Sequence, residues 1–142
     1  KKKRSVKEIV FSVLNEMGIA GESGSDDIVS IIEIMMNRNE EKVQLPPLKD
    51  LYELVAYETK AKNLDLKKQS KAIEQRIRRT ILTAVNNIAS LGTVDYTNPE
   101  FDYYAPRYFD FPEFRHQIKR LEEDNHGPIT VKVNLKKFLQ VW

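Results

Sequence analysis

The segment SKAIEQRIRRTILTAV, residues 70–85, decides how this chain folds. Its apolar residues recur every three or four positions, which predicts one amphipathic helix of roughly 20 residues, the longest element of the chain. Ser70 is the predicted N-cap, and Gly92 stands where the residue after the helix end is expected. The predicted buried stripe consists of Ile73, Ile77, Ile81, Ala84, Val85 and Ile88.

Three arginines, Arg76, Arg78 and Arg79, lie within four positions of this helix, and what they face bears on its function. The side opposite the isoleucines carries residue types that read base edges in a DNA major groove. They lie in the first half of the helix, where a recognition helix contacts bases, and the nearby Lys67 and Lys68 are suited to phosphates. The predicted outward residues are Lys71, Gln75, Arg78, Arg79 and Leu82, with Glu74 alongside.

The alternative is that these charged residues face only solvent, because any surface helix has a charged outer face. Two features favour nucleic acid instead. Only one acid stands among the basic and polar residues, so this face does not carry a series of i,i+4 salt bridges. A shorter helix over residues 47–58 precedes the long one in the order of a helix-turn-helix, although the predicted connector is longer than usual.

The remaining segments predict an all-α fold of about six helices, forming a single domain over residues 1–142. Residues 5–17 carry a capping box, Ser5 with Glu8, and Gly18 ends that helix. The run ITVKV, residues 129–133, allows at most one short strand near the C-terminus. Three further helix starts are predicted, capped by Ser25 or marked by Asn98-Pro99 and Phe111-Pro112.

Composition excludes several classes of protein. The 142 residues are 41% hydrophobic and 31% charged, and they include no cysteine, so disulfides and thiolate zinc sites are excluded. No apolar run approaches the roughly 20 residues that span a bilayer, and no secretory signal is present, so we expect a cytoplasmic protein. The chain begins at Lys1 rather than at Met, and we expect it to be a fragment of a longer protein.

Charge is distributed unevenly along the chain, although the net charge is only +2. Residues 60–79 hold eight basic and two acidic side chains, whereas residues 16–41 hold seven acidic and one basic. Such sidedness is typical of a protein that presents one charged surface to a partner.

No sequence motif indicates catalysis, a cofactor or a metal. P-loop and nucleophile-elbow patterns are absent, and the carboxylates in LEEDN, residues 121–125, read as a solvated helix end. His116 and His126 lack the spacing of a metal-binding pair. We therefore expect no enzyme activity, no cofactor and no metal site.

Aromatic residues cluster after the long helix. Prolines and acids interleave them, which favours core packing or a subunit interface over base stacking. The cluster consists of Phe101, Tyr103, Tyr104, Tyr108, Phe109, Phe111 and Phe114.

Several stretches of the chain resemble a known family. They are RSVKEIVFSVLNEMGIAGESGSDDIVSIIEIM (residues 4–35), EQRIRRTI (residues 74–81) and NNIASLGTVDYTNPEFDYYA (residues 86–105). They resemble the C-terminal output domain of YcbB/GlnL-type response regulators of Bacilli. More distantly, they are similar to the output domain of the sporulation stage-zero master regulator.

The resemblance implies an all-α, helix-turn-helix DNA-binding effector controlled by a phosphorylated N-terminal receiver, which this chain lacks. Its implied partners are operator duplex DNA, a second copy bound on DNA through the C-terminal region, and RNA polymerase. Glutamine- or nitrogen-utilisation genes are the implied targets. Matched position by position, the base contacts fall on Lys71, Glu74, Gln75 and Arg78, and the phosphate contacts on Ser70 and Arg79, beside Lys67 and Lys68.

Two departures from the sporulation regulator affect these expectations. Gln75 stands where that protein has arginine, so the bases read should differ. The predicted connector before the long helix is also longer here, which leaves the docking angle open. A different class of function stays open too, a helical protein-interaction module whose basic face docks an acidic partner.

Overall fold

The computed structural model describes residues 5–37, 46–58, 65–123, 127 and 132–142. Every regular element within these ranges is an α-helix, which confirms the all-α prediction. The predicted strand at residues 129–133 falls largely outside the described residues. The seven helices are α1 (Val6–Glu16), α2 (Ser25–Asn37), α3 (Leu48–Glu58), α4 (Leu66–Val94), α5 (Pro99–Tyr108), α6 (Phe111–Glu122) and α7 (Leu135–Gln140).

Two helix starts follow the sequence signals closely. Ser5 precedes α1, and its hydroxyl accepts a hydrogen bond from the Glu8 amide at 3.1 Å. Asn98 caps α5 by accepting from the Phe101 amide at 3.0 Å, and Pro99 is the first helical residue. Gly18, which follows α1, has φ of 75°, the left-handed conformation that glycine adopts without strain at a helix end.

The start of α2 differs from the prediction, because Ser25 does not cap it. Ser25 is the first helical residue, and its buried hydroxyl donates to the Ile19 carbonyl in the preceding loop. The α6 start is shifted by one position. Asp110 occupies the N-cap position and Pro112 the second helical position, so Phe111 lies inside the helix.

The long helix extends beyond both predicted ends. Asp65, not Ser70, caps α4, and its carboxylate accepts from the Lys67 amide at 3.0 Å. Leu66, Lys67 and Lys68 are good helix formers, so the helix starts five residues earlier. Gly92 lies inside α4, at a point where the Phe101 ring packs so closely that a Cβ would stand 2.4 Å from it, so glycine serves this contact rather than the helix end.

The core is built around α4, which packs against α2, α3, α5 and α6. All six residues of the predicted stripe are at most 3% exposed, so the buried face of α4 is confirmed. None of the described helices is long and apolar enough to cross a membrane.

The aromatic cluster contributes mainly to this core. Tyr104, Tyr108, Phe109 and Phe114 are buried, and the rings of Phe109 and Phe114 stack with centroids 5.5 Å apart. Tyr103 and Phe111 remain exposed, as does Tyr96 in the turn after α4.

Candidate nucleic-acid interface

The first half of α4, Leu66–Arg79, brings the predicted DNA contacts onto one helix. Because Asp65 caps the helix, Lys67 and Lys68 lie in its first turn rather than in a loop. They are therefore continuous with Lys71, one turn further on. The lysines predicted to bind phosphates and the residues predicted to read bases thus share a rigid element.

Seven residues of this half face outward, and we call them the outer face of α4. Most of them are exposed, whereas Glu74 and Arg78 are half-buried. None of the seven side chains takes part in a hydrogen bond or an ion pair with another described residue. The outer face consists of Lys67, Lys68, Lys71, Glu74, Gln75, Arg78 and Arg79.

Ser70 does not belong to the outer face. Its residue surface is only 7% exposed, and it lies on the side of α4 that faces α3. A backbone phosphate on the outer face of the helix therefore has no direct access to it.

Arg76 differs from the other two arginines of the segment. Its Nε donates to Asp27 at 2.8 Å and its second amino group donates to the other carboxylate oxygen at 3.2 Å. The side chain of Asp27 is 9% exposed and that of Arg76 is 32% exposed. The hydrogen bond with Asp27 raises the pKa of the Arg76 guanidinium, and the two bonds of the pair hold α4 to α2.

The start of α2 is docked against the middle of α4. The Gly24 amide donates to Thr80 Oγ1 at 2.9 Å, and the Thr80 hydroxyl donates to the Arg76 carbonyl at 2.8 Å. A Cβ at Gly24 would stand 2.5 Å from the Arg76 carbonyl oxygen, so only glycine allows this approach. The contact fixes α2 where Asp27 reaches Arg76.

The order α3 then α4 matches a helix-turn-helix, and these two helices share the most extensive contact of the fold. Glu58 ends α3 and Leu66 begins α4, so the connector is residues 59–65. It is shorter than the sequence predicted because α4 starts earlier, although it still exceeds the usual three or four residues.

Tyr52 of α3 is a residue at this interface that sequence reasoning missed. It is 2% exposed, and its hydroxyl has no hydrogen-bond partner among the residues that the structure describes. Burial, with a smaller contribution from Glu74, raises the pKa of Tyr52 to about 12. No sequence signal distinguishes this tyrosine from an ordinary buried residue of α3.

Metal-ligating groups are not brought together in the part of the chain that is described. No group of three or more His, Asp or Glu side chains there could hold a metal ion. His116 is exposed on α6, and His126 lies outside the described residues.

Comparison with known proteins agrees with the resemblance read from the sequence. A family model described as the YcbB domain matches residues 10–142. The chain is also 34% identical, over 144 residues, to the transcriptional regulatory protein GlnL of Bacillus subtilis (strain 168). That alignment covers 96% of this chain and 46% of the relative, so the chain spans about half the length of the curated protein it matches. No solved structure matches the chain.

Proposed function

This chain belongs to the YcbB domain family, and from that premise we propose that it is the DNA-reading output domain of a transcriptional response regulator. The first half of α4 enters the major groove of duplex DNA, and α3 lies across it as the first helix of the helix-turn-helix. The name of the GlnL relative, a transcriptional regulatory protein, supports a role in transcription.

The observation that carries the proposal is the unpaired charge on the outer face of α4. Five cations and one acid lie there without a partner among the described residues, whereas Arg76, between them in sequence, is paired. Unpaired cations on one face create the positive potential that binds a polyanion. A face made only for solubility more often mixes charges of both signs in i,i+4 pairs.

The dimensions of α4 suit a major groove. Leu66–Arg79 spans about 21 Å along the helix axis, and the groove admits an α-helix at a width of about 12 Å. In the proposed complex Lys71, Glu74, Gln75 and Arg78 contact bases. Phosphates are contacted by Lys67, Lys68 and Arg79, and Ser70 is left out because it lies on the side of α4 that faces α3, away from the outer face.

The rest of the proposal concerns the whole protein. A receiver domain outside this chain controls DNA binding through phosphorylation, and two copies pair on the operator. The exposed Tyr103 and Phe111 are candidates for that contact between copies. RNA polymerase is a further partner, the site of action is the cytoplasm, and the proposed target genes are those of glutamine or nitrogen use that the sequence resemblance implies.

A selection from random duplex DNA tests the function. The selected duplex and a scrambled control are then titrated by fluorescence anisotropy at two salt concentrations. We expect the control to bind at least ~100-fold more weakly at fixed salt, because specific sites exceed non-specific ones by large factors. Equal and salt-labile binding of both duplexes would instead favour the interaction module with an acidic partner.

A further inference from the structure

A cavity of about 350 Å³ lies between the first two turns of α3 and the first half of α4. Its wall includes Lys67, Lys71 and Glu74 of the outer face, so it opens beside the surface proposed to meet DNA. The wall is completed by Lys49, Tyr52, Glu53 and Ser70.

The Tyr52 hydroxyl is a buried donor that lacks an acceptor among the described residues. Leaving such a group unsatisfied destabilises the folded protein, so native structures usually provide a partner. The hydroxyl is protonated at neutral pH, as tyrosine ordinarily is, and burial raises its pKa further, to about 12, so it is available as a hydrogen-bond donor to an oxygen. Tyr52 lines the cavity, but its hydroxyl has almost no exposed surface, so a ligand oxygen in the cavity would supply that acceptor through a small shift of the wall on binding.

The charges of the wall indicate what kind of oxygen this is. Lys49, Lys67 and Lys71 outnumber Glu53 and Glu74 by one, so the wall carries a net charge of +1. The positive end of the α3 dipole adds to it, since Lys49 and Tyr52 lie in the first turns of that helix. A phosphodiester carries one negative charge, whereas a phosphate monoester carries about 1.5 to 2 at pH 7 and inorganic phosphate also carries more than one.

We propose that this cavity binds one phosphate group, with the Tyr52 hydroxyl donating a hydrogen bond to it and Lys49 facing its charge. The charge balance favours a phosphodiester of the DNA backbone over free phosphate. The inference rests on the proposed function, since it places one backbone phosphate of the bound duplex beside the start of α4, the helix proposed to contact bases. It adds Lys49 and Tyr52 of α3 to the residues that position DNA.

The first test replaces Tyr52 by phenylalanine, which removes the hydroxyl and keeps the ring. The free Tyr52→Phe protein should melt at the same temperature as wild type or higher, because a buried unsatisfied hydroxyl is lost. Its affinity for the selected duplex should fall roughly 10-fold, the size expected for one hydrogen bond to a charged group. A purely structural role predicts the opposite, a lower melting temperature with unchanged affinity.

The second test locates the phosphate. Each phosphate of the selected duplex is replaced in turn by a neutral methylphosphonate, and every duplex is titrated against wild type and Tyr52→Phe. At one position the substitution should weaken wild type more than it weakens Tyr52→Phe, because the variant has already lost the Tyr52 contact to that phosphate and keeps only the Lys49 charge. Lys49→Gln should lower the slope of log affinity against log salt by about one, whereas Lys7→Gln, on α1 away from the cavity, should not.

The possible results distinguish a failure of the cavity assignment from a failure of the proposed function. If the wild-type domain selects a duplex and both Tyr52→Phe and Lys49→Gln bind it as wild type does, the cavity assignment is overturned and the function stands. If the wild-type domain selects no duplex, both the proposed function and the cavity assignment are overturned. Inorganic phosphate, exchanged for chloride at constant ionic strength, is the remaining probe. If it raises the melting temperature of wild type but not of Tyr52→Phe and leaves the DNA bound, the cavity takes free phosphate and the phosphodiester assignment is overturned.

Discussion

The two halves of α4 form one helix, but their polar side chains differ in whether they bind other parts of the fold. In the second half, Thr80–Val94, polar side chains bind other parts of the fold. Asn87 donates to the Met17 carbonyl at 3.0 Å, and Gln117 donates to Asn86 at 3.1 Å. In the first half, the outer face makes no such bond to the described residues.

This difference separates residues that hold the fold together from residues available to a ligand. The second half contacts α5 at Phe101 and α6 at Gln117, whereas the first half contacts α2 at Asp27, meets α3 around the Tyr52 cavity and leaves its outer face open. A substitution in the buried second half should therefore change stability and spare recognition. A substitution on the outer face should do the reverse.

The largest effect is expected from Ile88→Ala in the second half. Ile88 is 0% exposed, and truncating such a side chain typically lowers the free energy of unfolding by about 2–5 kcal/mol. Urea denaturation measures the loss, and Leu82→Ala, at a half-buried outward position, serves as the control with a smaller change. If Ile88→Ala altered the preferred DNA sequence of the folded protein, the division between the halves would be wrong.

The next effect distinguishes Arg76 from Arg78. Arg76→Ala leaves the carboxylate of Asp27 buried without its partner and should cost about 2 kcal/mol of stability. This is less than the roughly 3–5 kcal/mol of a fully buried pair, because Arg76 is 32% exposed. Arg78→Ala should change stability by less than about 0.5 kcal/mol. The double variant Asp27→Ala/Arg76→Ala should recover part of the loss, and its failure to do so would argue against the pair.

A smaller effect is expected from Lys68→Gln on the outer face. The substitution should weaken binding to all duplexes about equally and reduce the salt slope by about one, because one phosphate contact is lost. Anisotropy titrations at several salt concentrations measure the slope, with Lys119→Gln on α6 as the control. A loss confined to one sequence would instead make Lys68 a base contact.

The smallest effect lies at the end of the second half. Two hydrogen bonds from Thr97 to the Asp95 carboxylate lower the pKa of that carboxyl below its ordinary value. The charged form is thus favoured by folding, so its contribution to stability is present above the unfolded pKa and is lost as pH falls through the lower folded pKa. Asp95→Asn should remove a small part of the acid dependence of unfolding below about pH 4. Identical acid profiles for both proteins would contradict this.

Local sequence signals were enough to predict the buried stripe of α4 and the starts of α1 and α5. The stripe depends only on spacing, and the caps at Ser5 and Asn98 depend on residues three positions away. The ends of α4 could not be fixed in this way. Asp65 and Ser70 are both good N-cap residues, and the packing of α3 over Ser70 favours the earlier start.

The candidate site was also predictable only in part, because local spacing decides which side chains face outward but not which distant residues they meet. Helical spacing placed Lys71, Gln75 and Arg79 outward, and all three are exposed. The pairing of Arg76 depends on Asp27, 49 positions earlier, which no local pattern reveals. The cavity around Tyr52 depends on how two helices meet, so it too required the structure.

The central claim is that the outer face of α4 reads bases, and repeating the DNA selection with Arg78→Ala tests it most directly. Wild type and variant are selected from the same random library under the same salt conditions. We expect Arg78→Ala to bind about 1–3 kcal/mol more weakly and to lose its preference at one base pair while keeping the others. An unchanged sequence preference and affinity would contradict the account, because the helix in the groove would then be a different one.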